Sequence, residues 1–353
     1  MGEPVLVIGV GMLTAVGLSA SETAASVRTA TMRFEESSFR DQWFQPFTLA
    51  TVPEEGLPEL EPGVTQNAAL TSRETRMLRL AAPPLAECLT PLGATNERPG
   101  VMMSLPEMET TMPFEPDAWL RLLHQQSKEM FDLPRSDASQ VGRAGGLVAI
   151  RRAIDVIASG QVSLMIAGGV DTYLDTYVLG TLDVEKRVKS AVHLDGFIPG
   201  EGAGFLLLAS AAAAQQAGIE ALARISDVVT GFEDGHLYSP TPYRGDGLAS
   251  TIQRLLQSNA VDSPIREVYS SMNGENHWAR EWGVGFLRNR PGFHEEHGMH
   301  HPADCYGDTG AACGPLMVGL AALGIARGYG GSPALVYCSS DKGDRAALAV
   351  RTA

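Results

Sequence analysis

Cysteine is scarce in this chain, and what there is forms no pattern. Its four cysteines, Cys88, Cys305, Cys313 and Cys338, show no C-x-x-C pair and no framework spacing. That argues against zinc ribbons, thioredoxin-like redox motifs and disulfide-stapled secreted scaffolds. Long apolar runs are missing as well: none reaches the roughly 20 residues that a membrane-spanning helix needs. No basic segment precedes the strand-like run that starts at Val5, so no signal peptide is expected, and the chain reads as cytoplasmic with buried, reduced thiols. Positive charge is also in short supply, 27 Lys and Arg against 41 Asp and Glu, for a net charge of −14. Nothing supplies a phosphate-neutralising stripe, so neither a nucleic acid nor a membrane is an expected partner.

What is present is a globular chain of 353 residues, 44 % of them hydrophobic, enough for two core-sized units. Val5 to Gly11 reads as a buried strand entering a glycine turn. The string GVGMLTAVG is not a dinucleotide fingerprint: Thr14 stands where the third glycine would fall, and no acidic residue ends a second strand at the right distance. Leu18 to Ala30 suits a helix capped by Ser19, with Glu22 as capping-box partner. Residues 35–70 read as an irregular excursion, and Ser72 to Leu89 as a helix interrupted at Pro83-Pro84. Residues 106–138 read as a cap with a helix near Trp119 to Phe131, and Met103, Met108 and Met112 read as packing residues. Arg73, Arg76 and Arg79, and the run Lys186-Arg187-Val188-Lys189, read as solvated faces.

The most informative stretch is Ser139 to Ile150. A strand ends, Gly142 makes a tight turn, and Leu147, Ile150, Ile154 and Ile157 recur at helical spacing. Such a turn aims one residue, here Arg143, inward at a helix N-terminus, where free backbone N–H groups can stabilise an anion. A guanidinium offers only donors, so it cannot be the nucleophile that such a turn often carries. Strand–helix alternation continues to the end of the chain and predicts an α/β fold with buried sheets. Each half starts with a strand and ends with adjacent strands, as an internal duplication would.

Five segments carry a resemblance to the β-ketoacyl synthases of the thiolase superfamily: VLVIGVGMLTAVG, RAGGLVAIRRAIDVIASGQVSLMIAGGVD, DGFIPGEGAGFLLL, YSSMNGENHWAREW and GDTGAACG. The DGF-x-x-GEGAG match is the most specific. The resemblance implies a thiolase-like five-layer α-β-α-β-α fold of two similar halves, residues 1–215 (with caps near 35–70 and 106–138) and 216–353. It also implies a dimer. That family uses a cysteine nucleophile and two histidines. Carried over residue by residue, the cysteine falls on Arg143, the histidines on Asn273 and Asp308, and the C-terminal glycine loop on Ser340-Asp341-Lys342-Gly343. The resemblance therefore implies a pseudoenzyme with Arg143, Asn273, Asp308 and Asp341 at degenerate active-site positions. Arg143 and Asp308 are expected to form a buried pair, with Asn273 as third partner.

The corresponding function is a binding, scaffold or adaptor subunit, like a chain-length factor or a secretion accessory. Its partner would be a second copy, a ketosynthase-like chain, or a secretion-system or acyl-carrier-related protein. The alternative is an acyl-binding protein or acyltransferase of altered chemistry. Glu275 and His277 are its candidate acid/base pair, against a reading of both as structural. His294, His297, His300 and His301 are weak candidates for a metal, since HEEHGMHH holds no HExxH; the other reading is an exposed loop. No cofactor is expected. Asp195, Glu201 and the Gly200–Gly204 run read as structural, and Cys313 as a small core residue.

Overall fold

The computed structural model describes residues 4–66, 70–93, 97–107, 115–258 and 260–353. The strands are β1 (Val5–Thr14), β2 (Glu35–Arg40), β3 (Pro46–Leu49), β4 (Gly100–Leu105), β5 (Asp137–Gln140), β6 (Leu164–Thr172), β7 (Glu201–Ala209), β8 (Ala223–Phe232), β9 (Ile265–Ser270), β10 (Phe293–His300), β11 (Ala334–Ser339) and β12 (Asp344–Arg351). The α-helices are α1 (Ala20–Arg28), α2 (Pro62–Thr65), α3 (Ser72–Leu89), α4 (Pro116–Gln126), α5 (Gly145–Ala158), α6 (Thr176–Val184), α7 (Ala211–Ala217), α8 (Asp246–Gln257), α9 (Asn276–Asn289), α10 (Ala303–Tyr306) and α11 (Cys313–Ala326).

Ten strands join in the order β5-β4-β6-β7-β1-β8-β12-β11-β9-β10. The seam is short: β1 and β8 pair antiparallel over Val5↔Ile225, Leu6↔Arg224 and Val7↔Ala223. Outward from the seam the two sides repeat. The first strand (β1 or β8) pairs antiparallel with the last (β7 or β12), which pairs antiparallel with the next (β6 or β11). Two parallel pairings then complete each side. The duplication expected from element order is therefore present in pairing direction as well.

Helices α5 and α11 pack on each other and on strands from both sides of the seam. Helix α3 covers the outer face of β1, β6 and β7, and α8 with α9 covers the outer face around β8. The result is five layers, α-β-α-β-α. Burial explains the sequence pattern. Strands β6 and β7 are buried along their whole length, because helices cover both faces and a continuous apolar run is tolerated. Helix α11 is buried at nearly every position and is apolar all round, as a helix between the two sides of the sheet must be.

The glycines of GVG have a packing role. A Cβ on Gly9 would overlap the Cys88 carbonyl oxygen, and one on Gly11 the Pro84 carbonyl oxygen. Bare backbone at these positions lets α3 lie directly on β1. The same contact corrects the expected break at Pro83-Pro84, since α3 runs unbroken through both prolines. An interior proline costs about 3 kcal/mol. Burial of Met77, Leu78, Leu80, Ala81, Leu85 and Cys88 on that face offsets it.

Other expectations change in smaller ways. The 35–70 excursion contains an antiparallel hairpin, β2 with β3, whose register shifts between Glu36 and Arg40. Ser19 does cap α1, but Glu22 accepts from the Leu18 N–H rather than that of Ser19. The helix of the second cap is Pro116–Gln126, shorter than expected, and Met108 and Met112 lie outside the described residues. Met103 is buried in β4. Among the described residues, no helix is long and apolar enough to cross a membrane.

Close backbone approach at Gly11 leads to a direct test. Gly11→Ala should lower stability by about 1–3 kcal/mol through overpacking, read as a shift of the urea midpoint. An unchanged midpoint would show that α3 does not rest on β1 in this way.

Candidate functional site

Gly142 adopts φ +68°, a region open to glycine, and so turns β5 sharply into a single 3-10 turn, Gly142–Ala144, ahead of α5. Arg143 sits at the tip and is 3 % exposed. Its Nε and Nη2 donate to Asp308 Oδ2 at 2.8 and 2.5 Å, and its Nη1 donates to Asp341 Oδ1 at 2.5 Å. Asn273 Nδ2 donates to the same Asp308 oxygen at 2.8 Å, and the Gly310 N–H donates to Asp308 Oδ1 at 2.8 Å. The expected pair of Arg143 with Asp308, with Asn273 third, is thus in place. Asp341 is an additional partner.

The network continues beyond Asp341. Arg187 Nη1 donates to Asp341 Oδ2 at 2.6 Å, and Arg187 Nε and Nη2 grip Glu275 Oε1 and Oε2 at 2.8 and 2.9 Å. Glu275 Oε2 also accepts from Asn273 Nδ2 and Trp278 Nε1. Charges alternate along the chain Glu275–Arg187–Asp341–Arg143–Asp308, with formal sum −1. The Trp278 and Phe197 rings lie 5.4 and 5.8 Å from the Arg143 guanidinium carbon, within cation–π range. Burial works against the charge on Arg143, but Asp308 and Asp341 outweigh it and hold its pKa well above the ordinary value. Burial likewise works against the Asp341 carboxylate, but Arg143 and Arg187 outweigh it and hold that pKa far below the usual range.

Beside this network lies a cleft of about 270 Å³. Its apolar wall includes Val178, Leu182 and Phe197, and its polar lining includes Arg73, Glu107, Asp171, Tyr173, Tyr238 and Lys342. Burial, and then the Asp341 charge, push the Glu107 carboxyl up to about 7. Glu107 packs against Gly142 at the turn itself. Arg73 donates to Asp171 at 2.7 Å, and Asp171 also accepts from the Ala311 N–H at 3.0 Å.

Several residues stand elsewhere than expected. Arg187 is buried in the network, not on a solvated face. Lys186, with φ +60°, turns the backbone, so that Lys186 and Lys189 stay exposed while Arg187 points in. Arg73 pairs with Asp171, Arg76 with Glu201, and Arg79 with Glu54, so this trio is not a solvated face either. A signal existed: Asp171 and Glu201 lie in fully buried strands, and a carboxylate there needs a cation. Asp195 accepts from the Asn276 N–H at 2.8 Å, and Glu201 from the Val52 N–H at 2.8 Å, consistent with structural roles.

Glu275 is held by Arg187, Asn273 and Trp278, which leaves it ill-suited as a base. His277 packs at a tilt against Tyr243 and edge-on to Trp278, and burial lowers its pKa. His294 to His300 lie in β10 rather than in a loop, with His301 just past its end. His297 packs on Phe286 and Phe293, His300 meets Glu267 at 2.7 Å, and His301 meets Ser270 at 2.7 Å. The four histidines are thereby dispersed, and among the described residues no group of three or more His, Cys, Asp or Glu could hold a metal ion. Cys313 and Cys338 are buried with sulfurs 3.7 Å apart.

Comparison with known proteins agrees with this architecture. The family model for the beta-ketoacyl synthase N-terminal domain matches residues 142–214. Polyketide synthase PksN of Bacillus subtilis (strain 168) is 34 % identical over 140 residues, 37 % of this chain. The chain spans only 2 % of that protein's length. Among solved structures, "The ishigamide ketosynthase/chain length factor" aligns with TM-score 0.79 and 17 % identity over 100 % of both chains. The type II acyl-carrier protein–ketosynthase complex AntDE:AntF aligns with TM-score 0.77 and 15 % identity, again over 100 % of both. The oxazolomycin ketosynthase domain OzmH KS7 of Streptomyces albus JA3453 aligns with TM-score 0.76 and 12 % identity over 99 % of this chain and 75 % of that one. The fold is that of the thiolase-like ketosynthases. Within that fold, residues 142–214 also carry the sequence pattern of the beta-ketoacyl synthase N-terminal domain.

Two outcomes test the site's electrostatics. Arg143→Met leaves two buried carboxylates short of a cation and should cost about 3–5 kcal/mol. Adding Asp308→Asn should recover part of that loss in a double-mutant cycle by chemical denaturation, and strict additivity would contradict the pairing. Glu107 gives a pH signature. Between its ordinary 4.5 and about 7 its carboxyl is protonated in the folded chain and ionised in the unfolded one. Stability should therefore fall as pH rises through that window, by about 3 kcal/mol from this group. Glu107→Gln should flatten that part of the melting temperature–pH curve, and a curve matching the parent protein's would refute the shift.

Proposed function

We propose that this chain is a non-condensing ketosynthase-like protein that works by binding another protein, as a scaffold or adaptor subunit in the manner of a chain-length factor. The resemblance puts the nucleophilic cysteine of active relatives at Arg143 and their two histidines at Asn273 and Asp308. The observation that carries the reading is the side chain at the tip of the turn. It is a guanidinium bonded to two carboxylates. A guanidinium accepts no acyl group, and Asp308 in place of a histidine would repel an enolate or a malonyl carboxylate. The neighbour described as a ketosynthase/chain length factor aligns over the whole of this chain, which favours a ketosynthase-like partner chain. A second copy of this chain, an acyl-carrier-related protein or a secretion-system protein are the other partners to be separated by experiment.

The alternative, an acyl-binding protein or an acyltransferase of altered chemistry, draws on the cleft beside Arg143. Its acyltransferase form is weakened by the hydrogen bonds that hold Glu275.

The test is acyl labelling followed by capture. Incubation with hexanoyl-N-acetylcysteamine and malonyl thioester should give no mass adduct and no carbon dioxide release. A stable acyl adduct would end the non-condensing reading. Affinity capture from the native host should then recover a defined protein: an active ketosynthase for the chain-length-factor role, a secretion or toxin protein for the adaptor role.

A further inference from the structure

The buried thiols take no part in the ion network, and two of them touch. Cys313, the first residue of α11, and Cys338, near the end of β11, lie 25 positions apart with their sulfurs at 3.7 Å. Cys88 belongs to the other core, its sulfur toward the Leu85 carbonyl oxygen, and Cys305 sits in α10. A disulfide holds its sulfurs at about 2.05 Å, so the pair has to close by about 1.7 Å. Helix α11 already packs on β11, so closure is a matter of side-chain torsions and not of bringing two elements together.

The two sulfurs are not equivalent. Cys313 is 8 % exposed and lines a slot of about 10 Å³ beside Tyr306, Asp308 and Met317, room for about one water-sized molecule. A small oxidant is therefore the kind that fits. Cys338 is fully buried. Burial, and then contact with Cys313, hold its thiol well above the ordinary pKa, so it is not the thiol attacked first. Both adjoin the turn. Cys313 Sγ donates to the Arg143 carbonyl oxygen at 3.6 Å. Two residues after Cys338, Ser340 Oγ accepts from the Ala144 N–H at 2.9 Å, and Asp341 follows.

We propose that Cys313 and Cys338 form a peroxide-responsive disulfide that fastens the start of α11 to the end of β11 and so fixes the segments carrying Asp308 and Asp341 about Arg143. The Cys313 sulfur attacks one oxygen of hydrogen peroxide, the O–O bond breaks, and the other oxygen leaves as water with the thiol proton, giving a sulfenic acid. The Cys338 sulfur then attacks the Cys313 sulfur, the S–O bond breaks, and the hydroxyl leaves as water with the Cys338 proton. Two thiols are oxidised, and one peroxide is reduced to two waters. The inference goes beyond the non-condensing reading and needs neither a partner chain nor an acyl group.

Treatment of the folded full chain with hydrogen peroxide, followed by denaturation, alkylation and intact mass, tests this. Two of the four thiols should escape alkylation, dithiothreitol should restore them, and peptide mapping should find Cys313 linked to Cys338. The oxidised chain should melt several degrees higher than the reduced one, because the link constrains the unfolded chain. Cys338→Ala should stop at a dimedone-reactive sulfenic acid on Cys313, Cys313→Ala should leave Cys338 alkylatable, and Cys305→Ala should behave as the parent protein does. Four alkylatable thiols after peroxide, a link that involves Cys305, a link that forms only in urea, or a link without a rise in melting temperature would overturn the proposal.

Discussion

One buried guanidinium sets the terms for the centre of this protein. Arg143 cannot lose its charge, so its desolvation must be met by anions in close contact. Asp308 and Asp341 meet it. Asp341, buried in turn, is shared with Arg187, and Arg187 needs a second carboxylate, which is Glu275. Each ion makes the next necessary. The five side chains come from five separate segments, two before the β1–β8 seam in sheet order and three beyond it. The same ion chain that neutralises the turn therefore ties the two halves together across the α5–α11 layer.

This arrangement separates two properties that a ketosynthase-like centre usually combines. The sharp turn with its glycine and the helix behind it are intact, so the backbone that would present a nucleophile is retained. The side chains around it have become a closed set of donors and acceptors. Asp308 Oδ2 accepts from Arg143 and Asn273, and Oδ1 accepts from the Gly310 N–H. Proton transfer needs a group with a free lone pair or a labile proton at the reacting atom; the guanidinium at the tip of the turn has no lone pair to offer and is held protonated by its carboxylates.

Legibility in the sequence followed how local the cause was. The strand–helix alternation, the buried runs of β6 and β7 and the helix after Gly142 are set by apolar periodicity and turn residues within a few positions, and these were readable. So was the pairing of Arg143 with Asp308, once the resemblance aligned both with positions that converge. Asp341 was readable as an altered loop position but not as a carboxylate for Arg143. Arg187 was hidden for a different reason: in KRVK nothing local distinguishes the charge that turns inward, and its direction depends on a positive φ at Lys186. The arginines of α3 looked solvated because they recur along one helix. Their partners, Asp171 and Glu201, are about a hundred residues or more away in buried strands. The prolines of α3 misled because propensity is a local cost, and packing on Gly9 and Gly11 is a tertiary gain.

The identity of the residues at Arg143, Asn273, Asp308 and Asp341 bears on the proposal that they stand at former catalytic positions. On the proposed correspondence, independent loss of a cysteine and two histidines would have no reason to leave charges that alternate in sign over contact distances. Apolar residues at these positions would fill the same space without the desolvation cost of five buried ions, and such replacements are often neutral or stabilising. An ion network is a poor device for added stability but a good one for fixing geometry, because each side chain has few arrangements that satisfy all its neighbours. Here the geometry so fixed includes one wall of the cleft: Arg143, Asp341 and Phe197 all line it. With its own charges satisfied internally, that wall places no demand on a ligand to neutralise it.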